Sequence, residues 1–267
     1  MDPYRRIDRE PDFKQFLKVL KREGTPAWVP FYEHVATASF IEERMQTTLD
    51  DLGPRDRWKT YVDFWIGMGF DCVPMEVPLS LPPRPPSARH GHAQARGHGS
   101  EAGACMFSMG DFNRYAWPGE DAPLDFEPFE IVAELLPPGV KIVGGVAGGP
   151  FEKATQSLLG LTGLSYALLD APELVDAVFD RLRRLYVSAN RRLAAMDAVG
   201  ACRQGDDLGF KTSTFLPPDI LRRHVFPIYR DMVAAAHARG KPFILHSCGQ
   251  IGEVYEDLID CGIDAKH

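Results

Sequence analysis

His246 and Cys248, two positions apart near the end of the chain, carry the side chains best suited to chemistry. They lie within residues 243–249, an apolar run that predicts a buried strand and ends in His-Ser-Cys-Gly. Side chains two apart on a strand point to the same face, so this imidazole and thiol can converge on one point. Both groups are favoured zinc ligands, and one His with two Cys leaves a fourth position open for substrate. The alternative is that His246 is a hydrogen-bonded core histidine and Cys248 a small buried side chain.

Further polar residues lie at the ends of other predicted strands. Residues 26–32, 71–77 and 201–205 each predict a strand, and a fourth covers residues 140–146. The polar candidates at these strand ends are Glu33, His34, Glu76, Asp206 and Asp207. We expect them to face one cleft, since the carboxyl ends of parallel strands share one edge of a sheet. For the aspartate pair, the alternative is a helix cap with a structural hydrogen bond.

Helices are predicted between these strands. The clearest covers residues 172–199, where apolar residues recur at helical spacing, and another over residues 217–239 is expected to kink at Pro227. Strands that alternate with helices indicate a parallel sheet covered by helices. Polar residues at most strand ends favour a TIM barrel, (β/α)8, over a doubly wound sheet. We count about six strand units where a barrel needs eight. Residues 1–267 are therefore expected to form a single barrel domain that lacks its last two βα units.

The composition narrows the class of protein. The 267 residues carry a formal net charge of −7 and are 45% hydrophobic, which favours a globular core and disfavours nucleic acid or an anionic membrane as partner. The five cysteines are an odd number spread thinly, which argues against a disulfide framework and for a reducing compartment. No apolar run approaches the ~18 residues of a membrane span. We expect a cytoplasmic protein that acts on a small molecule.

Two segments contain residue types that are typical of ligand sites, but we do not expect either segment to bind a ligand. Residues 82–103 mix Pro, Gly, His and Arg, which predicts a mobile loop whose histidines (His90, His92 and His98) are solvated rather than metal ligands. The glycines in residues 144–149 lack the spacing of a phosphate-binding loop. They are better explained by a tight turn or a close approach of the backbone.

Several segments together resemble the uroporphyrinogen decarboxylase (URO-D) superfamily. The strongest are Asp206-Asp207-Leu208-Gly209, Phe226-Pro227-Ile228-Tyr229, residues 237–249 and residues 258–265. A weaker likeness lies in Tyr115-Ala116-Trp117-Pro118 and Gly149-Pro150-Phe151-Glu152. Within the superfamily the chain is most similar to the cobalamin or coenzyme M methyltransferases. The resemblance implies a URO-D-type (β/α)8 barrel with a deep cleft at the carboxyl ends of the strands.

In the methyltransferase branch, the His and Cys of the His-x-Cys motif bind zinc together with a second, distant Cys. The resemblance therefore implies that His246 and Cys248 are two protein ligands of zinc. The resemblance places the third ligand beyond residue 267. Cys261 is a poor substitute, because it is predicted to lie at the far end of an outer helix, away from the cleft. A substrate thiol stabilised as thiolate by zinc would attack a methyl group, supplied by methylcobalamin on a partner corrinoid protein.

The resemblance also implies roles for the acidic residues. Asp206 and Asp207 would orient the methyl acceptor or accept a proton, and Glu152 is a weaker candidate of the same kind. From their place at the predicted strand ends, we expect Glu33, His34 and Glu76 to bind substrate.

Two other functions stay open at this point. The first is a decarboxylase that needs no cofactor and acts on uroporphyrinogen or a related carboxylate. The arginine-bearing N-terminal motif of that enzyme is absent from residues 28–35, and a substrate with several carboxylates calls for cations. The second is a barrel that binds a corrinoid or another ligand without catalysis, because fold and function often separate.

Overall fold

One parallel sheet organises the chain. The computed structural model describes residues 9–82, 104–122 and 124–267, so the predicted mobile loop with its three histidines lies, apart from residue 82, outside the described residues. The sheet has the order β1-β2-β3-β4-β5, and every neighbouring pair is parallel. Its strands are β1 (Cys72–Pro78), β2 (Lys141–Ala147), β3 (Val199–Gly205), β4 (Phe243–His246) and β5 (Ala265–Lys266).

Helices follow each of the first four strands along the chain. The α-helices are α1 (Phe13–Lys21), α2 (Ala38–Met45), α3 (Pro54–Gly67), α4 (Met109–Arg114), α5 (Glu127–Leu135), α6 (Pro150–Glu152), α7 (Leu161–Asp170), α8 (Pro172–Ala195), α9 (Pro218–His224), α10 (Phe226–His237) and α11 (Tyr255–Asp260). A π-helix (Lys153–Leu158) and two 3₁₀ turns (Leu49–Asp51 and Gly252–Val254) complete the described elements. Among the described helices, none combines the length and apolar character needed to cross a membrane.

The prediction of a strand over residues 26–32 is wrong. In the structure these residues form irregular chain with no sheet pairing. Pro26 and Pro30 lack the backbone N–H that a ladder requires, which explains why the apolar run does not join the sheet. Trp28 instead donates its indole N–H to the buried Asp71 carboxylate at 3.0 Å. The described sheet therefore has five strands rather than six.

Two predicted elements differ in their ends. The helix predicted over residues 217–239 is divided at Val225 into α9 and α10, so Pro227 sits in the first turn of a new helix, where its missing N–H is tolerated. The strand predicted over residues 243–249 ends at His246, and Cys248 lies in the loop that follows.

The two faces of the sheet are covered by different elements. The long helix α8 packs on β2 and β3 and buries the apolar stripe that predicted it, from Leu174 to Leu193. On the opposite face, which we call the inner face, Phe13 and Phe16 of α1 pack against Cys72, Val143, Ala201 and Ile244 near the amino ends of the strands. Helix α1 does not cover the inner face at the carboxyl ends of the strands, and other residues occupy that region.

An ion pair between the buried Arg203 and the exposed Glu76 crosses the inner face. Glu76, Gly145 and Arg203 occupy one row of the sheet, on β1, β2 and β3. The Arg203 side chain, 2% exposed, passes over Gly145 and places its Nη1 2.5 Å from Glu76 Oε1. A charge this deeply buried needs such a partner. Gly145 leaves the room for it, since a Cβ there would lie 2.8 Å from Arg203 Cγ.

We predict that Gly145→Ala lowers the free energy of unfolding by about 1–3 kcal/mol, because the new methyl group overpacks this row. The measurement is urea denaturation followed by circular dichroism. Gly163→Ala is the matched control, because a Cβ at Gly163 in α7 meets nothing within 4 Å. There the change should raise stability by up to about 1 kcal/mol through helix propensity. Equal stability of the two variants would show that Gly145 is not required by Arg203.

Candidate metal centre

Two histidines meet at the carboxyl ends of β4 and β5. His246 is the last residue of β4, and His267 follows β5, where its backbone N–H donates to Leu245 O at 2.8 Å. This pairing continues the parallel register of Leu245 with Lys266. The two imidazoles therefore lie side by side, with Nδ1 of His246 2.9 Å from Nδ1 of His267. The sheet itself sets this contact.

On its other side, His246 faces a thiol and a carboxylate. Cys248 Sγ lies 3.4 Å from His246 Nε2, and Asp207 Oδ1 lies 3.7 Å from the same nitrogen. Asp207 Oδ1 also accepts the backbone N–H of Cys248 at 2.9 Å. The three ligand atoms all lie within 4.8 Å of one another. His246 and Cys248 thus converge as their spacing predicts, although Cys248 lies beyond the strand and is exposed. The interpretation of Cys248 as a buried small residue is therefore wrong.

Two loops hold this arrangement in place. The loop after β3 pairs with the loop after β4 through Gly209 N–H to Cys248 O at 3.2 Å and Gln250 N–H to Phe210 O at 2.7 Å. Gly249 adopts a positive φ of 78° and packs directly on the backbone of Gly209. A Cβ at Gly249 would overlap Gly209, so the close approach requires glycine.

The donor set fits a zinc ion. Ligands about 2.3 Å (S) and about 2.0 Å (N or O) from a tetrahedral zinc lie about 3.5 Å (S to N) and about 3.3 Å (N to O) apart. The observed separations of 3.4 Å from Nε2 to Sγ and 3.7 Å from Nε2 to Oδ1 are close to these values. Imidazole, thiolate and carboxylate are all zinc ligands.

A second group of possible ligands, His34, His246 and His267, fits a metal less well. The contact of 2.9 Å between the Nδ1 atoms of His246 and His267 is a hydrogen-bond distance. The His34 ring lies against the His246 ring with centroids 4.2 Å apart, tilted at an interplanar angle of 34°. A metal lies in the plane of each imidazole that binds it, and the facing nitrogens of His246 and His267 are already at hydrogen-bond distance from each other. The geometry favours the cysteine side of His246 as the metal position.

The protonation of the two central ligands follows from their surroundings. Burial lowers the pKa of His246 to about 4, His34 adds to this effect, and the Asp207 carboxylate opposes it. His246 is therefore neutral at neutral pH, with a lone pair available for a metal. Burial raises the pKa of Cys248, and its hydrogen bond with Asp207 raises it further. A metal ion would have to displace the thiol proton, as metal ions commonly do at cysteine ligands.

Glu33 and His34 reach the centre along the irregular chain rather than from a strand. Glu33 Oε1 accepts the backbone N–H of His34 at 2.7 Å and lies 2.9 Å from His34 Nδ1. The same oxygen lies 3.8 Å from His267 Nε2. Burial works to raise the pKa of Glu33, but the hydrogen bond from His34 N–H and the charge interactions with His267 and His34 outweigh it and lower the pKa. Glu33 is thus a carboxylate at the edge of the centre.

Asp206 lies behind the centre and is fully buried. Its carboxylate accepts the backbone N–H groups of Phe151 and Glu152 at 3.0 and 2.9 Å and the Tyr229 hydroxyl at 2.8 Å. Burial and the Glu152 carboxylate raise the pKa of Asp206 to about 8, against the effect of these donors. A Cβ at Gly149 would overlap this carboxylate, which is the close backbone approach predicted for the glycine cluster. This geometry is that of a helix cap with a structural hydrogen bond, and a catalytic role for Asp206 stays a prediction.

The remaining predicted residues lie around the centre without joining its donor set. Glu76 is paired with Arg203 on the inner face. Glu152 accepts the backbone N–H of Gly149 at 3.2 Å and lines a small cavity together with Asp207 and Gln156. Cys261 is buried away from the centre, with its Sγ 3.6 Å from Phe226 O. The roles of Glu76 and Glu152 in substrate binding stay predictions.

Sequence reasoning missed His267 and Arg203. His267 follows a short strand, as His246 ends one, and that position was the signal that could have identified it. Arg203 stands in the middle of a strand whose neighbours Ala201 and Cys202 are buried. An arginine at such a position indicates a buried ion pair, but its partner Glu76 is 127 residues away in the sequence.

Comparisons with known proteins agree with this architecture. No curated protein sequence matches the chain significantly. Among solved structures, a methyltransferase from Methanosarcina mazei is similar to it, with a TM-score of 0.62 and 17% sequence identity over 96% of this chain and 76% of that one. At this identity the likeness shows the fold, which is of the TIM-barrel type. The family model for uroporphyrinogen decarboxylase matches residues 95–267. The chain therefore belongs to the uroporphyrinogen decarboxylase (URO-D) family.

Proposed function

We propose that the chain is a zinc-dependent methyltransferase that moves a methyl group from a corrinoid to a thiol acceptor. The observation that carries this proposal is the convergence of His246 Nε2, Cys248 Sγ and Asp207 Oδ1 within 4.8 Å of one another. They lie where β3 and β4 end, the edge at which TIM-barrel enzymes build their active sites.

In this proposal, each residue near the centre has a distinct role. His246, Cys248 and Asp207 would hold the zinc ion, with Asp207 as a donor that the sequence did not indicate for this role. A bound zinc ion supplies a Lewis acid that stabilises a substrate thiol as thiolate at neutral pH. Glu33, whose side chain is 44% exposed, and His34 lie beside the centre and can orient the acceptor. The methyl donor, methylcobalamin on a partner corrinoid protein, is supported by the resemblance to the methyltransferase branch.

The charges around the centre support this proposal over decarboxylation of a substrate with several carboxylates. Within the part of the chain that the structure describes, Glu33, Asp207 and Glu76 are acidic, and Arg203, a buried cation of this face, is already paired with Glu76. Such a substrate would need cations free to pair with its carboxylates.

The test is zinc binding by the full metal-free chain, measured by competition with a chromophoric chelator. We expect one equivalent of zinc. We also expect that methylcobalamin is consumed with 2-mercaptoethanesulfonate only after zinc is added. The activity assay uses the free cofactor, so no partner protein is required. Full activity in a rigorously zinc-free preparation would contradict the proposal.

A further inference from the structure

We propose that Glu33 and His267 are positioning residues that hold His246 in one tautomer, with the proton on Nδ1 and the Nε2 lone pair turned toward Cys248. Only the step from this tautomer to metal affinity rests on the proposed function. The structural basis is a continuous line of polar contacts from Glu33 through His267 to His246. We call these three residues the histidine relay.

The contact between the two imidazoles requires a proton between them. Nδ1 of His246 and Nδ1 of His267 lie 2.9 Å apart, and two bare lone pairs do not approach so closely. One of these nitrogens must therefore donate to the other. In a neutral imidazole one nitrogen donates and the other accepts, so this choice also decides the state of both Nε2 atoms.

The Glu33 end of the histidine relay favours one arrangement of the imidazole protons. His267 Nε2 faces the Glu33 carboxylate, 3.8 Å away, and an ionised carboxylate can only accept hydrogen bonds. A proton on His267 Nε2 is attracted by this charge, whereas a lone pair is repelled. His267 Nδ1 is then the acceptor, and His246 Nδ1 must be the donor.

The surroundings of His246 Nε2, at the other end of the histidine relay, are compatible with the same arrangement of protons. The Asp207 carboxylate lies 3.7 Å from His246 Nε2 and by itself would favour a proton there. Cys248 Sγ lies closer, at 3.4 Å, and its thiol, which also hydrogen-bonds with Asp207, can turn its single proton to the Nε2 lone pair. Asp207 Oδ1 also accepts the backbone N–H of Cys248 at 2.9 Å, which partly satisfies this carboxylate. A carboxylate therefore faces each Nε2 atom, but His246 Nε2 also has a thiol beside it that can donate to its lone pair, whereas His267 Nε2 faces the Glu33 carboxylate.

Neighbouring rings restrict rotation of the imidazoles. The His34 ring packs against the His246 ring at a tilt of 34°, with centroids 4.2 Å apart. Tyr32 presents its ring edge-on to His267, with centroids 5.1 Å apart and an interplanar angle of 89°. These contacts favour one orientation of each ring. The arrangement extends, by one histidine, the carboxylate–histidine pairing that orients metal-binding imidazoles in general.

The first test is ¹⁵N NMR of the metal-free full chain with labelled histidine at pH 8, where an imidazole of ordinary pKa is neutral. We expect His246 as the Nδ1–H tautomer in the wild type. His267→Leu removes the acceptor and should shift His246 toward the Nε2–H tautomer. His267→Asn keeps an amide oxygen near the position of Nδ1 and should preserve the Nδ1–H form. His237→Leu is the matched control, because His237 contacts Asp264 outside this cluster and should leave His246 unchanged.

The second readout is zinc affinity of the same proteins. His267→Leu should raise the Kd for zinc by about 10–100-fold, and His267→Asn should largely restore it. A wild type with His246 in the Nε2–H form, or a leucine variant that keeps Nδ1–H, would overturn the proposal. If the tautomers behave as expected but no variant and no wild type binds zinc, the histidine relay stands and the proposed function fails.

Discussion

Cys248→Ser should abolish zinc binding and reduce methyl transfer to a thiol by about 10³-fold or more. A serine hydroxyl is a much poorer zinc ligand than a thiolate. Loss of the several kcal/mol that a metal contributes at its reaction centre corresponds to a factor of this size. The measurements are the zinc content of the purified protein and the initial rate with methylcobalamin and a thiol.

Cys261→Ser is the matched control for this experiment. Cys261 is buried behind α10 and contacts Phe226 O, a partner that a serine hydroxyl can also use. This variant should keep its zinc and its activity. Zinc retained by Cys248→Ser at the wild-type affinity would remove Cys248 from the centre and leave the donor set without its sulfur.

Asp206→Ala should be the most destabilising of the substitutions considered, with a loss of about 3–5 kcal/mol in the free energy of unfolding. It would leave the N–H groups of Phe151 and Glu152 and the Tyr229 hydroxyl without their acceptor. Each buried polar group left unsatisfied costs about 1–3 kcal/mol. Asp206→Asn keeps one acceptor oxygen but turns an N–H toward another donor, so an intermediate loss is expected. The measurement is the midpoint of urea denaturation at unchanged m-value.

Asp207→Ala, at the next residue, should affect zinc binding more than stability, in contrast to Asp206→Ala. Asp207 accepts the backbone N–H of Cys248 and lies 3.7 Å from His246 Nε2, at the front of the centre. Its removal should weaken zinc binding at a smaller cost in stability than Asp206→Ala.

One outcome would contradict the structural role of Asp206. If Asp206→Asn folds with wild-type stability and loses activity, Asp206 is a catalytic residue, as its sequence position predicts, rather than a helix cap.

Local patterns predicted most of the fold. The long apolar stripe of α8 correctly predicted a helix, because one buried face repeats with the helical period. The apolar runs at β1, β2 and β4 correctly predicted strands. Residues 26–32 misled the prediction, since hydrophobicity outweighed the two prolines that prevent sheet pairing.

The candidate site was predictable only where its residues are close in sequence. His246 and Cys248 were expected to converge from their spacing along one strand, and they do converge, although the strand ends at His246 and loop pairing holds Cys248. Asp207 was recognised as polar but not as a neighbour of Cys248, because that contact depends on the pairing of two loops. The buried role of Asp206 depends on Tyr229 and on the turn at Phe151, which are distant in sequence and meet only in the folded protein.

The contact between Gly209 and Gly249 has a consequence for the entropy of metal binding. It fixes the separation of the Asp207 and Cys248 backbones before any ion arrives, so these donors lose little conformational freedom on binding. A bulkier residue at either glycine would force the two loops apart. The donors would then no longer be preorganised, and they would lose conformational freedom each time an ion binds. The two loops are thereby coupled, because a bulkier residue in one would displace the donor that the other holds.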